Sequence, residues 1–209
     1  MRNPQSESSD GAAAKPARRR LPAAERREQI LVAALGCFAR RGYVGAGTRD
    51  LARAAGVTEP ILYRHFDGKA GLFEAVVERA GDALEATIAD TVRGTRGAQE
   101  RLRVLAQGLP AILASHRDAL RVLNAAALVH EEPAIMAAAS ASARRIGLAL
   151  AAAFRGTGLR RGVRAETAGF LLLEVGLGAA MLRPLDVPEM EAQDYVERVT
   201  AALLGGIAG

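Results

Sequence analysis

The chain has 209 residues, 50% of them apolar and 24% charged, which is ordinary for a soluble globular protein with room for a substantial core. Aromatics make up only 4%, Ala and Leu dominate, and period-two alternation of β-branched residues is hard to find, so no sheet is expected. The net charge of +5 lies wholly in residues 1–80, where 14 Lys and Arg face 9 Asp and Glu, whereas residues 81–209 carry 14 of each. A basic segment joined to a neutral one suggests that the first part meets a polyanion; a solvated surface with a basic tail is the plainer alternative.

Residues 1–23 read as a disordered basic arm. They are rich in Ser, Ala, Pro and Arg, show no periodicity, and carry the cluster Arg18, Arg19 and Arg20. They lack the apolar stretch of a secretory signal. A first helix is expected from about Ala24 to Arg41, with an apolar stripe of Ile30, Leu31, Ala34, Leu35 and Phe38. Cys37, at the edge of that stripe, reads as core filler. As the single cysteine it excludes an intrachain disulfide and fits a reducing cytoplasm.

"RGYVGAG" breaks the helix, and Thr48 is the next plausible N-cap, opening a short helix that ends at Gly56 with Leu51 and Ala55 inward. After the Gly56-Val57 turn, Thr58 is expected to cap a third helix over 59–66. Pro60 is tolerated in its first turn, where N–H groups have no intrahelical partner, and Leu62 and Phe66 face inward. A long helix follows from Lys69 to about Arg93, with Leu72, Phe73, Val76, Ala80, Leu84, Ile88 and Val92 as its stripe. Further helices are placed near 98–114, 117–130, 133–155, 164–182 and 191–206, giving an all-α chain of about nine helices. The most apolar run, 167–182, is shorter than the ~20 residues a bilayer span needs and contains Glu174, so it is not read as membrane-spanning.

Two short helices joined by a Gly-containing turn and packed on a longer first helix make a helix-turn-helix, whose second helix fits a major groove ~12 Å wide. Residues 30–75, "ILVAALGCFARRGYVGAGTRDLARAAGVTEPILYRHFDGKAGLFEA", resemble the DNA-binding domain of the TetR/AcrR regulators. The matching features are the first-helix "A…FAR.GY", then "T.RDLARAAGV", then "LYRHF..K..LF", in order and correctly spaced. The resemblance covers about a quarter of the chain, and the total length and helix layout agree over the rest.

This resemblance implies roles residue by residue. Thr48 and Thr58 cap helices whose N-terminal N–H groups can bind phosphate, or act as caps only. Arg49 sits where the family reaches into the major groove, suited to a bidentate contact with guanine. Glu59, Pro60, Ile61 and Arg64 occupy base-facing positions of the recognition helix. Glu59 either accepts from a cytosine amino group or simply favours the positive end of the helix dipole. Tyr63 and His65 match phosphate-clasping residues, with packing and surface roles as their alternatives, and Lys69 adds a phosphate contact. The arm either enters the minor groove or serves as a solubilising tail.

The same resemblance divides the chain into a DNA-binding domain, 24–80, and a ligand-sensing and dimerisation domain, 81–209. In the family the last two helices form a four-helix bundle with their twins. Here that implies a homodimer built on Gly169, Leu173, Gly176, Leu177 and Ala180, with Tyr195, Val199, Ala202 and Leu203 from the final helix. The alternative is that these helices complete a monomer core. A ligand pocket is expected between the long fourth helix and the helices after it. Asn124 and Glu174 are polar residues within apolar runs; His116 is a further polar candidate, and Met136, Phe154 and Phe170 could form an apolar wall. A buried Glu174 would need a partner or would stay protonated.

No G-x-S-x-G, Walker loop or H-E-x-x-H occurs, and the three His and one Cys lack metal-ligand spacing. Neither enzyme activity nor a cofactor is expected. The function implied is a cytoplasmic transcriptional regulator, a repressor that binds a palindromic operator and is released by a small apolar or amphipathic ligand. The rival is a DNA-bound protein of the same fold that recruits a protein partner and senses no small molecule.

Overall fold

A computed structural model describes residues 22–159, 161–182, 198 and 201–202. These form eight helices and no strand: α1 (Ala23–Gly45), α2 (Thr48–Ala54), α3 (Glu59–His65), α4 (Gly68–Thr91), α5 (Ala98–Ser115), α6 (Arg117–Ala126), α7 (Pro133–Phe154) and α8 (Ala165–Leu182). The all-α expectation holds for the described residues. The predicted helix over 191–206, with the dimer candidates Tyr195, Val199 and Leu203, lies outside them apart from residues 198, 201 and 202, and so does the Arg18–Arg20 arm.

The regular part of α1 stops where the glycine-rich stretch predicts. Gly42 takes φ 68, ψ 179, a left-handed backbone that a side chain would strain, and the chain continues at a new angle to Gly45. Ile30, Leu31, Ala34, Cys37 and Phe38 are buried on α1, so Cys37 is core filler. Phe38 packs at a tilt against Phe73 of α4 with ring centroids 4.6 Å apart, and Tyr43 reaches the same ring at 5.1 Å. The predicted α4 stripe is buried from Leu72 to Ile88, and Val92 is half-buried.

Four details depart from the sequence-based reading. Thr48 is the first helical residue of α2, not its cap; extended Gly47 holds the cap position, and the Thr48 hydroxyl is engaged elsewhere. Thr58 does hold the N-cap position of α3, but its side chain makes no capping hydrogen bond. Third, α6 ends at Ala126 instead of 130, because Leu128 and Val129 donate to Ala125 and Ala126, tightening the chain into turns ahead of Pro133. Lastly, Glu174 is exposed on α8, so the question of a buried carboxylate does not arise.

The body is built around α7, which packs most extensively on α8 and α4. By length and composition α7 could cross a membrane, yet it is a core helix here, with Ile135, Ile146, Leu150 and Phe154 fully enclosed. Its contact with α8 is unusually close. A Cβ on Gly169 would fall 2.4 Å from the Gly147 carbonyl oxygen and 2.5 Å from the Ala151 nitrogen, so only glycine allows the two backbones to meet. The α1 helix also packs against α6 and α4, which joins the N-terminal three-helix head to the body.

Candidate nucleic-acid interface

Helices α2 and α3 form the head's outer edge. Between them Ala55 is helical, Gly56 turns at φ 65, and the Val57 N–H closes the turn on the Ala52 carbonyl at 3.0 Å. From α1, Gln29 donates to the Ala55 carbonyl at 3.2 Å, and Arg27 lies 4.9 Å from the centre of the Phe66 ring. Leu51 and Leu62 are fully enclosed, and Ala55 and Phe66 nearly so. These anchors set the outward face of α3.

That face carries the predicted reading residues, in two groups. Pro60, Tyr63 and Arg64 are exposed, Ile61 is half-buried, and Thr58 stands exposed at the helix start. The Arg64 guanidinium and the Thr58 hydroxyl engage no other protein group among the described residues, so both are open to an incoming partner. Glu59 is different. Its Oε2 accepts from the Thr48 hydroxyl at 2.8 Å, and its Oε1 lies 3.4 Å from Arg49 Nε. Both carboxylate oxygens are therefore engaged inside the protein, linking the starts of α2 and α3. Sequence reasoning missed this link. The Arg49 side chain remains 89% exposed, so the pair is screened by water and worth ~1 kcal/mol or less.

The phosphate-clasp candidates also differ among themselves. Tyr63 is 46% exposed. The His65 ring is half-buried, and its Nε2 is enclosed without a hydrogen-bond partner. Lys69 donates to the Val44 carbonyl at 3.3 Å, with its ammonium 4.7 Å from the Tyr43 ring centre, so it is tethered beneath the break in α1. Asp50 pairs with Arg41 and, at 3.3 Å, with Arg53, which partly neutralises the cations beside Arg49. Tyr43 ties this corner to the body, its hydroxyl donating to Glu132 at the α7 cap at 3.2 Å. Burial and the neighbouring Glu132 carboxylate push the Tyr43 phenol above its ordinary pKa.

The structure scatters the predicted ligand residues. Asn124 lines a cleft of about 630 Å³ between α1, α6 and the end of α8, and donates to the Leu177 carbonyl at 2.9 Å. None of His116, Met136, Phe154, Phe170 and Glu174 lines that cleft. His116 is bonded to Thr87 Oγ1 at 3.1 Å, Phe154 is fully enclosed in the core, Met136 is half-buried, and Phe170 and Glu174 are exposed. Among the described residues no cluster of His, Cys, Asp or Glu could hold a metal.

Residues 30–76 match the family model for bacterial regulatory proteins of the tetR family. The nucleoid occlusion factor SlmA of Marinobacter nauticus is 31% identical over 143 residues, which span 68% of this chain and 73% of that protein. The chain belongs to the TetR family. It is therefore a DNA-binding regulator of the helix-turn-helix type. The HTH-type transcriptional activator FasR of Mycolicibacterium smegmatis is 44% identical over 84 residues, 40% of this chain. The chain spans only 38% of that FasR and 52% of the Haemophilus influenzae SlmA. In fold, a TetR-family regulator from Agrobacterium tumefaciens superposes with a TM-score of 0.71 at 20% identity, over 89% of this chain and 99% of that one. A TetR-like regulator from Rhodococcus sp. RHA1 gives 0.65 at 25% identity, over 90% and 100%.

Proposed function

We propose that this TetR-family chain is a cytoplasmic homodimer that binds a near-palindromic DNA site through residues 24–80 and answers a small molecule through residues 81–209. The observation that carries the reading is the α3 face. Leu62 and Phe66 hold the helix down while Pro60, Tyr63 and Arg64 stay exposed and the Arg64 guanidinium is unengaged. On this reading Arg49, Ile61 and Arg64 meet base edges, Tyr63, His65 and Lys69 meet phosphates, and the starts of α2 and α3 at Thr48 and Thr58 face the backbone. Glu59 is a positioning residue that holds Arg49.

Pairing of subunits is supported by α8, though on a face other than the expected one. Gly169, Leu173, Gly176 and Ala180 are buried within the chain, and the Leu177 carbonyl is bonded to Asn124. The opposite face exposes Phe170 and Leu171 beside Glu174, apolar area that a second copy would cover. Two heads would then sit about one DNA turn apart.

Regulation would be a population shift, in which the ligand favours a head spacing that does not fit the operator. The sign of regulation follows from where the operator lies. The expected repression rests on resemblance, and the FasR relative is named an activator. A second reading is favoured by the SlmA relatives, which are named nucleoid occlusion factors: a DNA-bound chain that recruits a protein partner and senses no small molecule.

Selection of DNA from a random pool by the purified full chain, followed by binding across a salt series, tests the proposal. Enrichment of a near-palindrome and a steep linear loss of log affinity with log salt are expected. No enriched sequence at low salt would overturn it.

A further inference from the structure

The cleft of about 630 Å³ lies where the head meets the body, with α1 on one side and α6 and the end of α8 on the other. Its volume falls within the ~300–1,000 Å³ of small-molecule sites. Arg40 and Arg121 line it, and among the described lining residues there is no Asp or Glu; the Asp118 carboxylate shares the flank of Gly36 with the Arg40 guanidinium without forming an ion pair. Arg40 is exposed and makes no ion pair among the described residues; Arg121 has only a long hydrogen bond, 3.4 Å, to the Ala180 carbonyl. Asn124 uses its amide N–H on Leu177, which leaves its amide oxygen without a protein partner among the described residues. Beside these polar groups Leu128 and Met181 are large apolar side chains, 71% and 50% exposed.

From this juxtaposition we infer that the cleft binds an amphipathic organic anion, a small carboxylate whose head lies between Arg40 and Arg121 and whose apolar tail covers Leu128 and Met181. Charge selects the occupant. Two arginines and no acid among the described lining residues favour an anion, and a guanidinium fork matches a carboxylate in particular. An uncharged apolar compound would leave both guanidiniums unpaired. The site rests on the ligand-responsive reading and gives it a location: such an anion would bridge the head's α1 and the body's α6, and so bias how the head sits on the body.

The test is calorimetric titration of the full chain with octanoate and naphthalene-2-carboxylate, each against its primary amide. One carboxylate bound per chain is expected, with the amide about tenfold weaker or more, because charge-assisted hydrogen bonds are lost. The double variant Arg40→Gln, Arg121→Gln should weaken carboxylate binding by about tenfold or more while melting close to the parent. Ala125→Met, which fills the cleft and keeps both arginines, should block carboxylate and amide alike. Binding of neither carboxylate, equal binding of the amides, or parental affinity in the double variant overturns the site. So does self-association of the parent that Ala125→Met abolishes, which assigns the cleft to a second copy. Operator binding is measured on the same samples. If a carboxylate binds as described and operator affinity does not move, the cleft site stands and the ligand-responsive reading falls; if none binds and the operator is still held, only the cleft proposal falls.

Discussion

Helix α3 turns Leu62 and Phe66 inward and leaves Pro60, Tyr63 and Arg64 in solvent, whereas α8 buries Ala168, Leu172 and Leu173 and still exposes Phe170, Leu171 and Met181. A helix of seven residues has few positions to anchor it, so its outer face can be given over to polar contact only because each anchor is sealed. A helix of 18 residues is held inside the chain along one stripe and leaves apolar side chains uncovered beside Glu174 on the other. The head thus presents polar groups on a short helix, and the body presents apolar area.

The largest expected effect attacks the anchors. Leu62 is fully enclosed, so Leu62→Ala should destabilise the protein by ~2–5 kcal/mol, measured by denaturant unfolding. DNA affinity should fall with it, since nothing else on α3 but Phe66 replaces that contact. The counterpart in the body is Gly169→Ala. Its Cβ would meet backbone atoms of Gly147 and Ala151, which cannot rotate aside as a side chain would. Separation of α7 from α8 should cost ~1–3 kcal/mol, with the isolated act of reading DNA affected less than in Leu62→Ala. Equal loss of DNA affinity in the two variants at matched stability would break the distinction between head and body.

Next in size is Glu59→Gln, which keeps the shape and removes the charge holding Arg49. Stability should change by less than ~1 kcal/mol, because the ion pair is largely exposed. Competition binding should show the change instead: discrimination at the base step read by Arg49 should weaken, by ~1 kcal/mol, while non-specific affinity stays level or rises as a negative charge leaves the face. Uniform weakening across all sequences would mean that Glu59 supports the fold of the head and does not position its reader.

Much of this was legible in the sequence because it depends on neighbours a few residues apart. The break at Gly42, the turn at Gly56, the anchors Leu62 and Phe66 and the stripe of α4 all follow from local spacing. What stayed hidden depends on distant groups. Thr48 and Glu59 are 11 residues apart and meet only because the turn folds one helix start onto the other. In α8 apolar residues lie on both the inner and the outer face, so periodicity marks the inner one poorly; of the small residues that suggest pairing with a twin, Gly169 is used against α7 and Gly176 against Leu113 of α5 and Leu120 of α6. Asn124 is legible as a polar residue in an apolar run, and it does line a cleft, whereas Arg40 and Arg121 carry no local signal and share that cleft only because α1 packs on α6.

The smallest effect concerns the join between the two regions. Tyr43→Phe removes the hydroxyl that donates to Glu132 at 3.2 Å and keeps the ring against Phe73. The cost should be about 0.5–1 kcal/mol near neutral pH, since one partly exposed hydrogen bond is lost. Its pH dependence gives the sharper check. Burial and the Glu132 carboxylate raise the Tyr43 pKa in the folded protein above its ordinary 10.0, so folding favours the protonated phenol. That contribution is fully present below pH ~10, and is lost as pH rises through the raised folded value. Melting curves of the parent and Tyr43→Phe should therefore converge as pH rises above about 10, with the parent losing stability faster. A constant gap across that range would mean that Tyr43 joins head to body through its ring alone, and that the bond to Glu132 contributes nothing to the coupling between them.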